Sequence, residues 1–84
     1  MIGVEKACEI ATTERNEPFV DVITDIGSGF VIGTMAEDGE IAEMFPVLVY
    51  KESGKAETFR VPEHIEEMKN GKSVRIPSKY LFKK

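Results

Sequence analysis

"FVDVITDIGSGFVIGTM", residues 19–35, is the stretch on which the fold turns. Two β-branched, apolar runs flank Gly27-Ser28-Gly29, and the glycines fall as Gly27-x-Gly29-x-x-x-Gly33. A dinucleotide fingerprint needs G-x-G-x-x-G between a strand and a helix, because the pyrophosphate is held at the helix N-terminus. Here the third glycine comes one residue late, and Gly29 runs into Phe30-Val31-Ile32, a strong strand former. A P-loop carries Lys after its last glycine, whereas Thr34 stands at that place. The stretch is therefore read as a β-hairpin. Its strands cover 19–26 and 30–36, and the glycines of 27–29 supply positive φ in the turn. Gly33, inside the second strand, marks a bulge or a close approach of a helix. Side-chain alternation puts Val20, Val22, Thr24 and Ile26 on the buried face of the first strand. Phe19, Asp21, Ile23 and Asp25 form its mixed face.

Upstream, residues 2–15 read as a helix. Val4, Ala7, Cys8 and Ala11 recur at helical spacing, with Glu5, Lys6, Glu9 and Thr13 opposite. Gly3, Ala7 and Ala11 form a small-residue ridge on the apolar face, which lets the helix axis approach a sheet. Pro18 closes this element. Downstream, "EDGE" at 37–40 is a turn centred on Asp38-Gly39. Residues 41–45 fit a strand, a helical turn or a crossover loop. "PVLVYKESGKAETFRVP", residues 46–62, is a second hairpin. It has a strand at 47–50, a turn at 52–55 with Gly54 in the left-handed region, and a return at 57–61. Pro62 suits the first position of a short helix running to Gly71, which carries only Ile65 and Met68 as apolar residues. Residues 73–76 offer a fifth strand, and Tyr80, Leu81 and Phe82 form an apolar cluster in the tail.

The expected fold is α+β: an N-terminal helix packed on a four- or five-stranded antiparallel sheet, with a short second helix near the C-terminus. Residues 1–84 form a single domain in this reading. A chain of 84 residues has a thin core and little depth for a walled active site. The single Cys8 gives no internal disulfide framework, and residues 1–16 carry five charged residues in place of an apolar leader. The expected location is cytoplasmic, without membrane attachment. Residues 1–50 hold two basic and ten acidic side chains, whereas residues 51–84 hold nine basic and five acidic. The basic residues are interleaved with glutamates and form no stripe for nucleic acid.

Chemical constellations are sparse. His64, the only histidine, lies beside Glu63 and Glu66 in a polar helix and reads as a surface residue. One His and one Cys 56 positions apart make no metal site. Glu37, Asp38, Glu40 and Glu43 lack the alternating ligands of a calcium loop, with Ala42 at a ligand position. Asp21 and Asp25 share a strand face at i, i+4, and lysines or arginines of neighbouring strands are their expected partners. No cofactor and no catalytic residue are expected.

The order helix, hairpin, turn, then "FPVLVYKESGKAETFRVPE" resembles the small immunity proteins found beside bacterial polymorphic toxins. Gly29-Phe30-Val31-Ile32 matches their glycine-aromatic strand, with Phe30 where a tryptophan is common. Pro46 to Tyr50 with Lys51-Glu52-Ser53-Gly54-Lys55 matches their later strand and turn. The likeness covers residues 1–61 and carries over no functional residue. The second hairpin is also similar to peptidase-associated domains.

The resemblance implies a non-enzymatic protein-binding module, an immunity-type inhibitor of a basic toxin. Glu37, Asp38, Glu40, Glu43, Tyr80, Leu81 and Phe82 are its candidate contact residues. The alternative is a small-ligand-binding or structural subunit acting as a homodimer, with outward tail residues meeting a second copy.

Overall fold

The computed structural model describes residues 1–40, 45–60 and 65–82. The open reading of 41–45 lies outside them but for Phe45, and so do Glu43, His64, the Pro62 helix start, the end of the second-hairpin return and the last two lysines.

The opening hairpin forms. Strand β1 (Phe19–Asp25) and strand β2 (Gly29–Met35) pair antiparallel, and the turn closes with the Ile26 amide donating to the Gly29 carbonyl at 3.1 Å. Gly27 has φ +89, as the turn requires. Gly29 serves a different need. A Cβ there would stand 2.5 Å from the Val49 carbonyl oxygen, so the glycine lets the neighbouring strand approach.

Strands β3 (Val47–Tyr50) and β4 (Ala56–Thr58) form the second hairpin, with Gly54 at φ +73 in its turn. After helix α2 (Ile65–Lys69), the short strand β5 (Lys72–Ser73) returns to the free edge of β1; it overlaps the expected 73–76 strand only at Ser73, and residues 74–76 are not strand. The sheet order is β4-β3-β2-β1-β5, antiparallel throughout. The expected α+β architecture is the one observed. Helix α1 (Val4–Arg15) crosses one face of the sheet.

The faces of β1 differ from simple alternation. Register slips between Val20, paired with Thr34, and Val22, paired with Gly33, so Asp21 is the extra residue of a β-bulge. The bulge puts both Val20 and Ile23 into the core beneath α1, while Val22 is turned out and 44% exposed. The expected buried set Val20-Val22-Thr24-Ile26 is thereby corrected. Its period was sound on either side of Asp21 but not across it.

Under α1, Ala7, Cys8 and Ala11 meet Val20, Ile23, Phe30, Ile32, Val47 and Val49. Gly3 is the helix N-cap and is exposed, with open space around it, so the docking ridge consists of Ala7 and Ala11. The opposite face is covered too: Val31, Leu48 and Phe59 form a second buried cluster, with Met68 of α2 and Ile26 against it. Each large apolar side chain so buried is worth about 1.5–3 kcal/mol.

Ala7→Leu, a volume increase under the helix, is expected to cost about 1–3 kcal/mol. Urea unfolding of that variant checks the docking ridge. The bulge has its own signature. Ile23→Ala should cost about 2–5 kcal/mol, while Val22→Ala should stay within about 1 kcal/mol. Equal losses at the two positions would contradict the register.

Candidate functional site

Helix α1 ends at Asn16, whose left-handed conformation (φ 55, ψ 43) reverses the chain. The Asn16 amide donates to the Thr13 carbonyl and the Glu17 amide to the Thr12 carbonyl, a Schellman closure with Asn in place of Gly. Glu17 then turns inward. Its carboxylate accepts a 2.6 Å hydrogen bond from the hydroxyl of Thr34, a polar residue only 4% exposed. This bond pins the start of the loop to the end of β2 and satisfies a buried hydroxyl that otherwise would cost about 1–3 kcal/mol.

The turn after β2 faces the same end of the molecule. The Gly39 amide donates to the Ala36 carbonyl and the Ala36 amide to the Glu40 carbonyl, both at 2.9 Å. The Asp38 carboxylate accepts from the Glu40 amide at 3.0 Å. Glu37, Asp38 and Glu40 are exposed. Between this turn and the α1 terminus lies an open groove of about 750 Å³, lined by Thr13, Asn16, Glu17, Pro18, Glu37 and Asp38 among others. The C-terminal end of a helix carries partial negative charge. Carboxylates and helix end together make the groove electronegative.

The tail reaches this end from below. A 3₁₀ turn (Ser78–Tyr80) delivers Tyr80, 7% exposed, into the core beneath α1. Leu81 forms an isolated parallel bridge with Val20 and is 44% exposed. Phe82 is half-buried, edge-on to Phe19 with ring centroids 5.3 Å apart and an interplanar angle of 73°. The structure thus brings Phe82 to Gly39 of the turn that carries Glu37, Asp38 and Glu40, leaves Leu81 exposed beside Val20, and uses Tyr80 as a core residue. Phe19, Glu17 and Thr34 were not singled out from the sequence. Asn16 directly after Arg15 was the available signal for the first of these turns, as a left-handed cap.

Of the strand carboxylates, Asp25 is held by Lys51. Asp25 accepts from Lys51 at 2.9 and 3.0 Å and from the Gly27 amide at 2.8 Å, and the Lys51 ammonium sits 5.0 Å from the centre of the Phe30 ring. The bulge at Asp21 breaks its alignment with Asp25. Cys8 is fully buried, and burial together with nearby Glu5 pushes its thiol up to about 11, which keeps it protonated and unreactive at neutral pH. Among the described residues, no group of three or more His, Cys, Asp or Glu is placed to hold a metal ion, and no helix is long and apolar enough to cross a membrane.

No family model matches the chain, and neither curated proteins nor solved structures yield a match to it.

The hydrogen bond from Lys51, reinforced by the Gly27 amide and the charge of Lys72, holds the Asp25 carboxyl below its ordinary 3.8. A carboxyl depressed in the folded state contributes stability above its unfolded pKa, and that contribution fades as pH falls through the folded value. Asp25→Asn should therefore lower stability at neutral pH and flatten the acid limb below about pH 4. Urea midpoints measured from pH 7 downward check this, and parallel curves for the two proteins would refute it.

Proposed function

We propose that this chain is a non-enzymatic protein-binding module that presents its acidic end to a basic protein partner. One observation carries the reading: Phe82 of the apolar tail, next in the chain to the exposed Leu81, lies against Gly39 in the exposed turn of Glu37, Asp38 and Glu40, and that turn borders the electronegative groove. Charge around an apolar ledge is the arrangement of a protein contact. The ledge contributes affinity, and the carboxylates steer a basic surface to it. The likeness of the strand and turn segments to small immunity proteins favours a particular form of this function, inhibition of a basic toxin by covering its surface. The homodimer alternative has less to draw on. Tyr80 and Phe82 pack within their own chain, which leaves Leu81 as the mainly exposed apolar residue of that cluster.

The test uses the partner recovered on the intact chain from the cells that encode it. In Glu37→Lys combined with Glu40→Lys, Asp38 keeps its bond to the Glu40 amide. The association rate is expected to fall about tenfold, with wild-type binding weakening as salt rises. Stopped-flow mixing reads both. A partner that binds the doubly reversed chain at the wild-type rate, or with no dependence on salt, would overturn the proposal.

A further inference from the structure

We infer that residues 78–82 act as a docked strap whose seating holds the acidic turn 36–40 in shape, so that the strap and whatever binds the turn are coupled. The inference builds on the proposed function for its purpose, but its geometry stands in the free protein.

The seat is built for a ring. Gly39 has φ +86, and a Cβ placed on it would lie 2.8 Å from Cε1 and Cζ of Phe82. The ring therefore rests directly on the Gly39 backbone. A residue with a side chain there would both strain the turn and displace the ring. The same ring meets Phe19, the first residue of β1, which pairs with Met35 immediately before the turn. Phe82 thus supports the turn from the backbone of residue 39 and, through Phe19, from the β1 residue paired with the last residue of β2.

The hold on the strap is short. Among the described residues it makes one bridge to the sheet, Val20 with Leu81, and its other backbone bonds are local: Tyr80 to Pro77 at 2.9 Å and Leu81 to Ser78 at 3.3 Å. Among the described residues, Tyr80 in the core and Phe82 on its seat are the side chains that hold it to the body. A terminal segment held this way opens locally, with a smaller free energy than global unfolding. The turn's own hydrogen bonds, Gly39 to Ala36, Ala36 to Glu40 and Glu40 to the Asp38 carboxylate, are surface bonds that water contests. Lifting the ring removes the apolar cover on one side of them. By reciprocity, a partner that grips the turn in its seated shape holds the strap down, and a partner that takes the strap loosens the turn.

The experiment is native-state amide hydrogen exchange on the full chain, read by NMR. Phe82→Ala is expected to speed exchange at Gly39 and Glu40 about tenfold relative to the amides that join β2 to β3. Leu81→Ala, which alters an exposed side chain and leaves the seat intact, is expected to leave that ratio unchanged. Phe82→Leu keeps an apolar side chain without the ring, and should act in the same direction by a smaller factor if Phe82→Ala does not fold. Unchanged ratios in both Phe82 variants would overturn the coupling. So would a uniform acceleration across turn and ladder, which would mark Phe82 as a source of global stability alone. These results concern the free chain, so they stand apart from success or failure in binding a basic partner.

Discussion

Strand β1 has to serve the helix-facing core at Val20 and again at Ile23, three residues apart. A strand repeats every two residues, so it meets that demand only by spending one extra residue. Asp21 is that residue, and the sheet is arranged around it. Before the bulge, Val20 faces α1. After it, Ile23 does, and Val22 swings to the outer face across from Gly33. Along the edge of β1 away from β2, the first residues meet the tail at Val20 and Phe19 while the last residues pair with β5. One edge of the sheet is thus closed by two separate short pieces of the C-terminal segment. The other edge ends in β4, a strand of three residues. Short and covered edges keep a small sheet from pairing with other chains.

The two faces are filled by different means. Under α1 the contact uses Ala7, Cys8 and Ala11, so the helix backbone lies close to the sheet and the branched residues of β2 and β3 fill the space between. On the far face a single large side chain, Phe59, does most of the filling with Val31 and Leu48, and Met68 adapts to what remains. Thr34 is the polar exception beneath α1, and Glu17 answers it from the loop after the helix. That bond fixes where the chain leaves α1, and so where the groove opens beside the β2–β3 turn.

Charge and apolar surface meet at this end because the sheet's topology brings them there. The acidic residues come from the turn that leaves β2, and the apolar ones come from the C-terminus. They are more than 40 positions apart in the chain, yet Phe82 rests on Gly39. Neither cluster alone distinguishes a binding surface from an ordinary solvated loop or an ordinary tail. Their contact is what gives the proposed module its face.

Local chemistry sufficed for the hairpin at residues 27–29, the helix at the N-terminus, the second hairpin about Gly54 and the α+β class, because turn glycines, Pro18 and the change from helical to alternating period act over a few residues. The same reading placed Val22 inside, since nothing near Asp21 announces a bulge. That slip exists only because helix and sheet must share one core. Alternation along the chain already sets Leu81 opposite to Tyr80 and Phe82, but not which side packs inward. The packed structure puts Tyr80 in the core, leaves Leu81 exposed and seats the Phe82 ring on Gly39, because those fates are set by partners far along the chain. Sequence determined which elements form, through interactions between near neighbours. Tertiary structure decided which side chains face inward and which surfaces adjoin, because burial is a property of the assembled sheet.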